Sequence, residues 1–150
     1  MKVFASMAVS ASALTAEKKR IDVISQNMAN INTTRTPEGG PYQRRRVVFS
    51  EILQDSSASK FVKVPTRPGA SPVAGGVQVS QVVRDEVLPR MVHDPTHPDA
   101  DAEGYVAMPE IDLVSEMVDL MTASRAYETN VQVLNITKSL ALRALDIGKG

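Results

Sequence analysis

The sequence predicts a mainly α protein in which two long terminal helices flank a small β-rich insert. All nine prolines fall between Pro37 and Pro109. Residues 1–36 and 110–147 contain neither proline nor glycine, so both ends can run as uninterrupted helices while the middle cannot. Both ends also repeat their apolar residues at helical spacing, whereas the middle carries short β-branched runs. The chain therefore divides into an N-terminal helix within 1–36, a loop and β-rich insert over 37–108, and a C-terminal helix within 109–150.

In the first segment Phe4, Met7, Ala11, Leu14, Lys18, Ile21, Ser25 and Met28 alternate in steps of three and four, an a/d seam with two polar interruptions. Ile24 can replace Ser25 on that face. Ala5, Ala8, Ser12, Ala13 and Ala16 flank the seam, and such small side chains let a neighbouring helix come close. Glu17-Lys18-Lys19-Arg20 is a solvated patch. The helix should fray near Asn30-Ile31-Asn32-Thr33-Thr34, because Asn and Thr bond locally to backbone and favour turns. Residues 1–16 share some character with a short secretory leader. However, Ser6, Ser10 and Ser12 dilute the apolar stretch and the helical pattern runs on past Ala16, so an uncleaved N-terminus is expected.

The C-terminal segment keeps a stronger repeat. Leu113, Met117, Leu120, Ser124, Tyr127, Val131, Leu134, Lys138, Ala141 and Leu145 alternate in steps of four and three. Pro109 suits a first helical position, with Glu110 and Asp112 in a first turn that favours acids, and Gly148 is a stop. A second apolar set lies off this seam, with Val133, Ile136, Leu140, Ala144 and Ile147 downstream and Val114, Val118 and Met121 upstream. A helix apolar on two sides is normally buried among several neighbours. Those neighbours are most simply other copies or other subunits.

In the middle, Val77, Val79, Val82 and Val83 suggest strands, as does the alternation of Arg44, Arg46 and Val48 with Arg45, Val47 and Phe49. Residues 55–76, rich in Ser, Pro, Gly and Ala, read as a loop.

Composition excludes several function classes. Lys plus Arg and Asp plus Glu each total 17, giving no general electrostatic reason to bind nucleic acid. Arg44-Arg45-Arg46 alternates across a strand and so forms no single basic face; acids on a neighbouring subunit are its expected partners. The absence of Cys removes disulfides, thiolate metal sites and a thiol nucleophile. No run of apolar residues is long enough for a membrane helix.

Asp99, Asp101, Glu103 and Glu110, with Gly104, come close to calcium-loop spacing. A calcium-responsive binding module is therefore the competing class. Against it stand a long Glu at the fifth loop position, Pro95 and Pro98, which forbid the incoming helix, and Pro109, which stiffens the end of the loop. The same prolines prevent His93 and His97 from aligning as zinc ligands on a helix. With no nucleophile elbow or phosphate loop, the expectation is no enzyme, no catalytic residue, no cofactor and no metal.

Ser10-Ala-Ser-Ala-Leu14-Thr-Ala, followed by Ile21-Asp-Val-Ile-Ser-Gln-Asn27-Met-Ala-Asn30-Ile-Asn32-Thr33-Thr34, resembles the N-terminal signature of bacterial flagellar rod and hook proteins. Leu120-Met-Thr-Ala-Ser-Arg125-Ala-Tyr127-Glu128-Thr-Asn130 resembles the matching C-terminal motif. Gly39-Gly-Pro-Tyr42-Gln-Arg-Arg and the stretch from Asp94 to Val106 are similar to the proximal-rod branch, which Arg35 also suits where many axial proteins carry Gly.

The resemblance implies a structural subunit of the proximal rod, exported by the flagellar type III apparatus without signal cleavage. It implies a periplasmic location in the basal body, and copies of itself, sister rod proteins and the rod-to-membrane-ring adaptor as partners. It further implies that the terminal helices pair as an antiparallel coiled coil forming the inner tube. On that footing Leu113, Met117, Leu120, Val131 and Leu134 are expected in an intrachain seam with Phe4, Leu14, Ile21 and Met28. Val133, Ile136, Leu140 and Ile147 are expected to contact other subunits. Asn27, Asn30, Asn32, Arg125, Tyr127, Glu128 and Asn130 are expected at a polar junction between helices and insert.

Overall fold

A computed structural model describes residues 2–53 and 74–147, with side chains described for 6–52 and 75–146. Its elements are α1 (Lys2–Ala29), β1 (Arg45–Leu53), β2 (Ala74–Arg84), β3 (Arg90–His93), β4 (Tyr105–Met108) and α2 (Leu113–Ile147). The helices contain 28 and 35 residues, roughly 42 and 52 Å of length. Most of the loop expected over 55–76 lies outside the described residues, but Ala74–Gly76 belongs to β2 rather than to a loop.

α1 stops at Ala29 because Asn30 turns back on it. The Asn30 side chain donates to the Gln26 carbonyl at 2.8 Å, and its Oδ1 accepts from the Thr33 hydroxyl at 3.1 Å. The chain then reverses through Thr36–Gly40, where Gly39 and Gly40 adopt φ of 93° and 72° that only glycine holds without strain.

β1 and β2 form one antiparallel pair, with Val47 opposite Val82 and Phe49 opposite Val79. A bulge after Val48 adds a residue on β2 and bends the ribbon. β3 and β4 form a second antiparallel pair, with Val92 opposite Val106. Met91-Val92 and Tyr105-Val106, short β-branched or aromatic runs on either side of a Pro-, Asp- and Gly-rich turn, were the signal for this hairpin; it lies too weakly above the turn chemistry to stand out in sequence.

α2 begins at Leu113 and not at Pro109. Asp112 is the cap: its carboxylate accepts from the backbone N–H of Val114 at 3.1 Å and Ser115 at 3.3 Å, and from the Ser115 hydroxyl at 2.7 Å. These bonds hold its carboxyl below the ordinary aspartate range, the Ser115 hydroxyl contributing most. Pro109 and Ile111 are instead buried as the chain leaves β4.

α1 packs against α2, β1 and β2. One close approach is at Gly76, where a Cβ would stand 2.3 Å from Ser12 Oγ, and the Val77 N–H donates to that same oxygen at 3.1 Å.

The packed stripes differ from the apolar seams read in sequence. On α1 Met7, Leu14, Ile21 and Met28 are half-buried, but Ala11, Lys18 and Ser25 are exposed; Ser10, Glu17 and Ile24 take their places. On α2 Leu120, Tyr127, Leu134 and Ala141 are half-buried, while Leu113, Met117, Lys138 and Leu145 are exposed; Glu116, Ala123, Asn130 and Thr137 point inward instead. On α1 one heptad position is thus kept and the other moves back by one residue, whereas on α2 Ser124 and Val131 stay half-buried beside the inward Ala123 and Asn130. Apolarity marks Leu113 and Met117 as core, but close approach of helices and strands selects small or hydrogen-bonding side chains on the inner side.

Candidate functional site: a buried polar junction and an open helix face

The junction forms where the end of α1, the start of β1 and the first turns of α2 meet. Glu116 has no exposed surface and Asn27 has 1%. Glu116 accepts from Arg44 Nε at 2.6 Å and from Asn27 Nδ2 at 3.0 Å. Asn27 also grips the backbone of Arg45 from both sides, donating to its carbonyl at 2.8 Å and accepting from its N–H at 2.9 Å. Its Oδ1 further accepts from the Tyr42 hydroxyl at 3.1 Å. The amide thus uses both donors and both lone pairs, as a buried amide must.

Charge is balanced within the chain. Arg44 reaches Asp85 at 3.1 Å and Asp119 at 3.5 Å as well as Glu116. Arg46 reaches Asp85 at 3.3 Å, and Arg20 of α1 reaches Asp119 at 3.5 Å. Burial pulls the Arg44 pKa down, but the bonds and charges of Glu116 and Asp85 outweigh it and leave the guanidinium more firmly protonated than usual. Burial raises the Tyr42 hydroxyl above its ordinary range, opposed by Arg45, whose guanidinium lies 5.6 Å from the Tyr42 ring centre. The acids expected on a neighbouring subunit for Arg44 and Arg46 are therefore supplied by this chain.

Of the residues expected at the junction, the structure brings Asn27 there. Asn30 caps α1 nearby, and Asn32 is exposed. Arg125 and Glu128 are exposed further along α2, Tyr127 is half-buried, and Asn130 donates to the Ala126 carbonyl at 2.9 Å. Among the described residues none of these four hydrogen-bonds to Asn27. Sequence reading missed Tyr42, Asp85 and Glu116. The available signal was charge: three consecutive arginines in a neutral chain require acids, and Glu116 stands among Val114, Met117 and Val118.

The acids of the Asp94–Gly104 turn fold the turn itself. Asp101 Oδ1 accepts from the N–H of Glu103 at 2.9 Å and of Tyr105 at 2.8 Å, and Asp99 accepts from the Thr34 hydroxyl at 2.7 Å. Among the described residues no three metal-binding side chains converge.

The second feature is the outer face of α2. Leu113, Val114, Met117, Val118 and Met121 are exposed near its start, and Val133, Ile136, Leu140, Leu142 and Leu145 further on. Leu113 and Met117, expected inside the chain, belong to this open face. Leu14, Ile21, Met28, Leu120, Val131 and Leu134 are half-buried, and the side chains of Phe4 and Ile147 lie outside the described residues. The two exposed groups on α2 are separated by the exposed polar residues Thr122, Arg125, Glu128, Thr129 and Gln132; clustered exposed apolar residues of this kind mark interaction sites.

Two family descriptions match the chain: "Flagella basal body rod protein" over residues 7–35, and "Flagellar basal body rod FlgEFG protein C-terminal" over residues 102–147. The flagellar basal-body rod protein FlgC of Borreliella burgdorferi is 42% identical over 100% of both chains. That of Bacillus subtilis is 42% identical over 99% of this chain and 100% of its own, and that of Escherichia coli O157:H7 is 40% identical over 94% of each. The chain belongs to the FlgC family of flagellar basal-body rod proteins. FlgC-family proteins are structural rod components and not enzymes, which makes this chain a structural subunit of the basal-body rod. The two matched segments contain Asn27 and Glu116, whereas Tyr42, Arg44 and Asp85 fall in the stretch between them.

Proposed function

We propose that the chain polymerises into the proximal rod through its two terminal helices, helping to build the drive-shaft and the channel within it. The observation that carries this reading is the exposure of apolar residues on α2, in one group from Leu113 to Met121 and another from Val133 to Leu145. Covering one such Leu or Ile is worth about 1.5–3 kcal/mol, enough in sum to offset ordering long helices on a growing tip. Contacts of this kind are heterologous and rise as a helix. The occupants are further copies of this chain, sister rod proteins and the adaptor to the membrane ring.

Within the subunit, α1 and α2 pair as an antiparallel coiled coil. Two contacts support that direction: Asn27 near the end of α1 meets Glu116 near the start of α2, and the earlier Arg20 meets the later Asp119. The chain reaches the periplasm through the flagellar type III export apparatus with its N-terminus uncleaved. Of the expected subunit contacts Val133, Ile136, Leu140 and Ile147, the first three are exposed, which supports this reading, and the side chain of the fourth lies outside the described residues.

Ile136→Asp combined with Leu140→Asp tests the reading. The variant is made and exported but does not enter rods, and its cells do not swim. Swimming cells with normal isolated basal bodies would refute it.

A further inference from the structure

We infer that the buried network of Asn27, Arg44 and Glu116 fixes the axial register of α1 on α2, and with it the seat of the insert on the helix pair. The inference rests on packing inside the chain and is independent of what the rod does.

The inner stripe cannot set register by shape alone. Its most buried positions mix small or polar residues, Ser10, Ala16, Asn27 and Ala123, which make shallow knobs, with few large apolar ones, Val23 and Ile24. It also repeats every seven residues, through Leu14, Ile21 and Met28 on α1 and Leu120, Tyr127 and Leu134 on α2. A slip of seven residues, about 10 Å along the axis, therefore keeps large apolar or aromatic side chains facing one another at these positions.

Charge attraction between the helices does not prevent such a slip either. Arg20 stands seven residues before Asn27, so a slipped Glu116 would find a cation there. What only the native register supplies is β1. Asn27 grips the Arg45 backbone at 2.8 and 2.9 Å while Arg44 Nε meets Glu116 at 2.6 Å. Any slip strands a fully buried carboxylate or amide from these partners, at the cost of an unpaired buried group. Apolar side chains of similar volume would bury the same area without desolvating charge, so the network's distinctive contribution is selection of one arrangement.

The absence of Cys permits two spin labels at exposed positions, through Lys19→Cys on α1 and Glu128→Cys on α2 of the full chain. Pulsed electron resonance should give one narrow distance in this background. Replacing the network with Asn27→Leu, Arg44→Met and Glu116→Leu should keep the helical circular dichroism but add a second distance or broaden the first several-fold. Met117→Ala, which alters an exposed neighbour, should leave the narrow peak.

An unchanged peak in the network-free chain overturns the inference. So does a broad distribution in the labelled parent, or equal broadening by Met117→Ala. If the network-free chain loses its helices, Glu116→Gln decides: it retains shape while removing the charge that holds Arg44, and an unchanged peak there overturns the inference. Rod entry is not part of this readout, so failure here leaves the rod assignment untouched, and failure of that assignment leaves the distances standing.

Discussion

α1 and α2 carry similar apolar repeats, yet they leave different surfaces to solvent. Among the described side chains Val9 is the large apolar residue that α1 exposes, whereas α2 exposes ten, from Leu113 to Met121 and from Val133 to Leu145. α1 is one-sided: its inner stripe meets α2 and both long strands, and Lys18, Lys19, Asp22 and Gln26 face outward. α2 is two-sided, with Glu116 and Ala123 inward and Met117, Met121, Ile136 and Leu140 outward. A helix with one apolar stripe can bury it within a single chain, whereas one with two needs further neighbours to cover the second. The difference also explains why the residues bearing most apolar area on α2 contribute little to the fold of the single chain.

The sharpest way to break this contrast is to remove the downstream part of α2, with Ile136, Leu140, Leu142 and Leu145. Deletion of residues 134–150 should leave the protein made but abolish its incorporation into rods, a complete loss scored by immunoblot of isolated basal bodies. Retained incorporation would mean that α2 is not the principal assembly helix.

Next comes the inner side. Glu116→Ala leaves Arg44 half-satisfied and should cost about 3 kcal/mol, read by urea denaturation of the full chain. A change near zero would remove the junction from the folding account. Ala123→Leu, inserted where no side-chain surface is exposed, should destabilise by roughly 1–3 kcal/mol through overpacking. Its outward counterpart Met117→Ala should change stability by under about 0.5 kcal/mol while lowering rod incorporation. Equal effects of the two would erase the distinction between faces.

The close approach of β2 to α1 offers a similar test. Gly76→Ala meets Ser12 Oγ and a φ of 134°, and should cost more than about 1 kcal/mol. Ser12→Ala should restore only the steric part, since φ remains unfavourable.

The smallest effect expected is acidic fraying of α2. The Asp112 carboxyl is lowered by the bonds it accepts from Ser115 and Val114. Its contribution is therefore fully present above the unfolded aspartate pKa and is lost as pH falls through the lowered folded value. Asp112→Asn, which keeps a capping oxygen, should flatten that acid limb in helicity measurements; an unchanged limb would assign it to other carboxylates.

The sequence by itself determined the two helices, because proline and glycine are excluded from both ends and the apolar repeat is helical. It also determined that α2 has apolar surface on two sides, because Ile136 and Leu140 lie off the seam that contains Leu134 and Ala141. That strands lie around Val47 and Val82 was legible from alternation, whereas their pairing was not. The hairpin of β3 and β4 was not, since its runs are four residues each and are overshadowed by the turn between them. Only the tertiary structure decided which half of each heptad faces inward. That choice depends on how closely helices and strands approach at Ser12, Gly76 and Ala123, and a one-dimensional pattern of apolarity carries no distances. Only the tertiary structure likewise joined Asn27, Arg44 and Glu116, because a buried ion network is a property of three separate segments meeting, and none of the three shows in its own sequence neighbourhood which partner it will find.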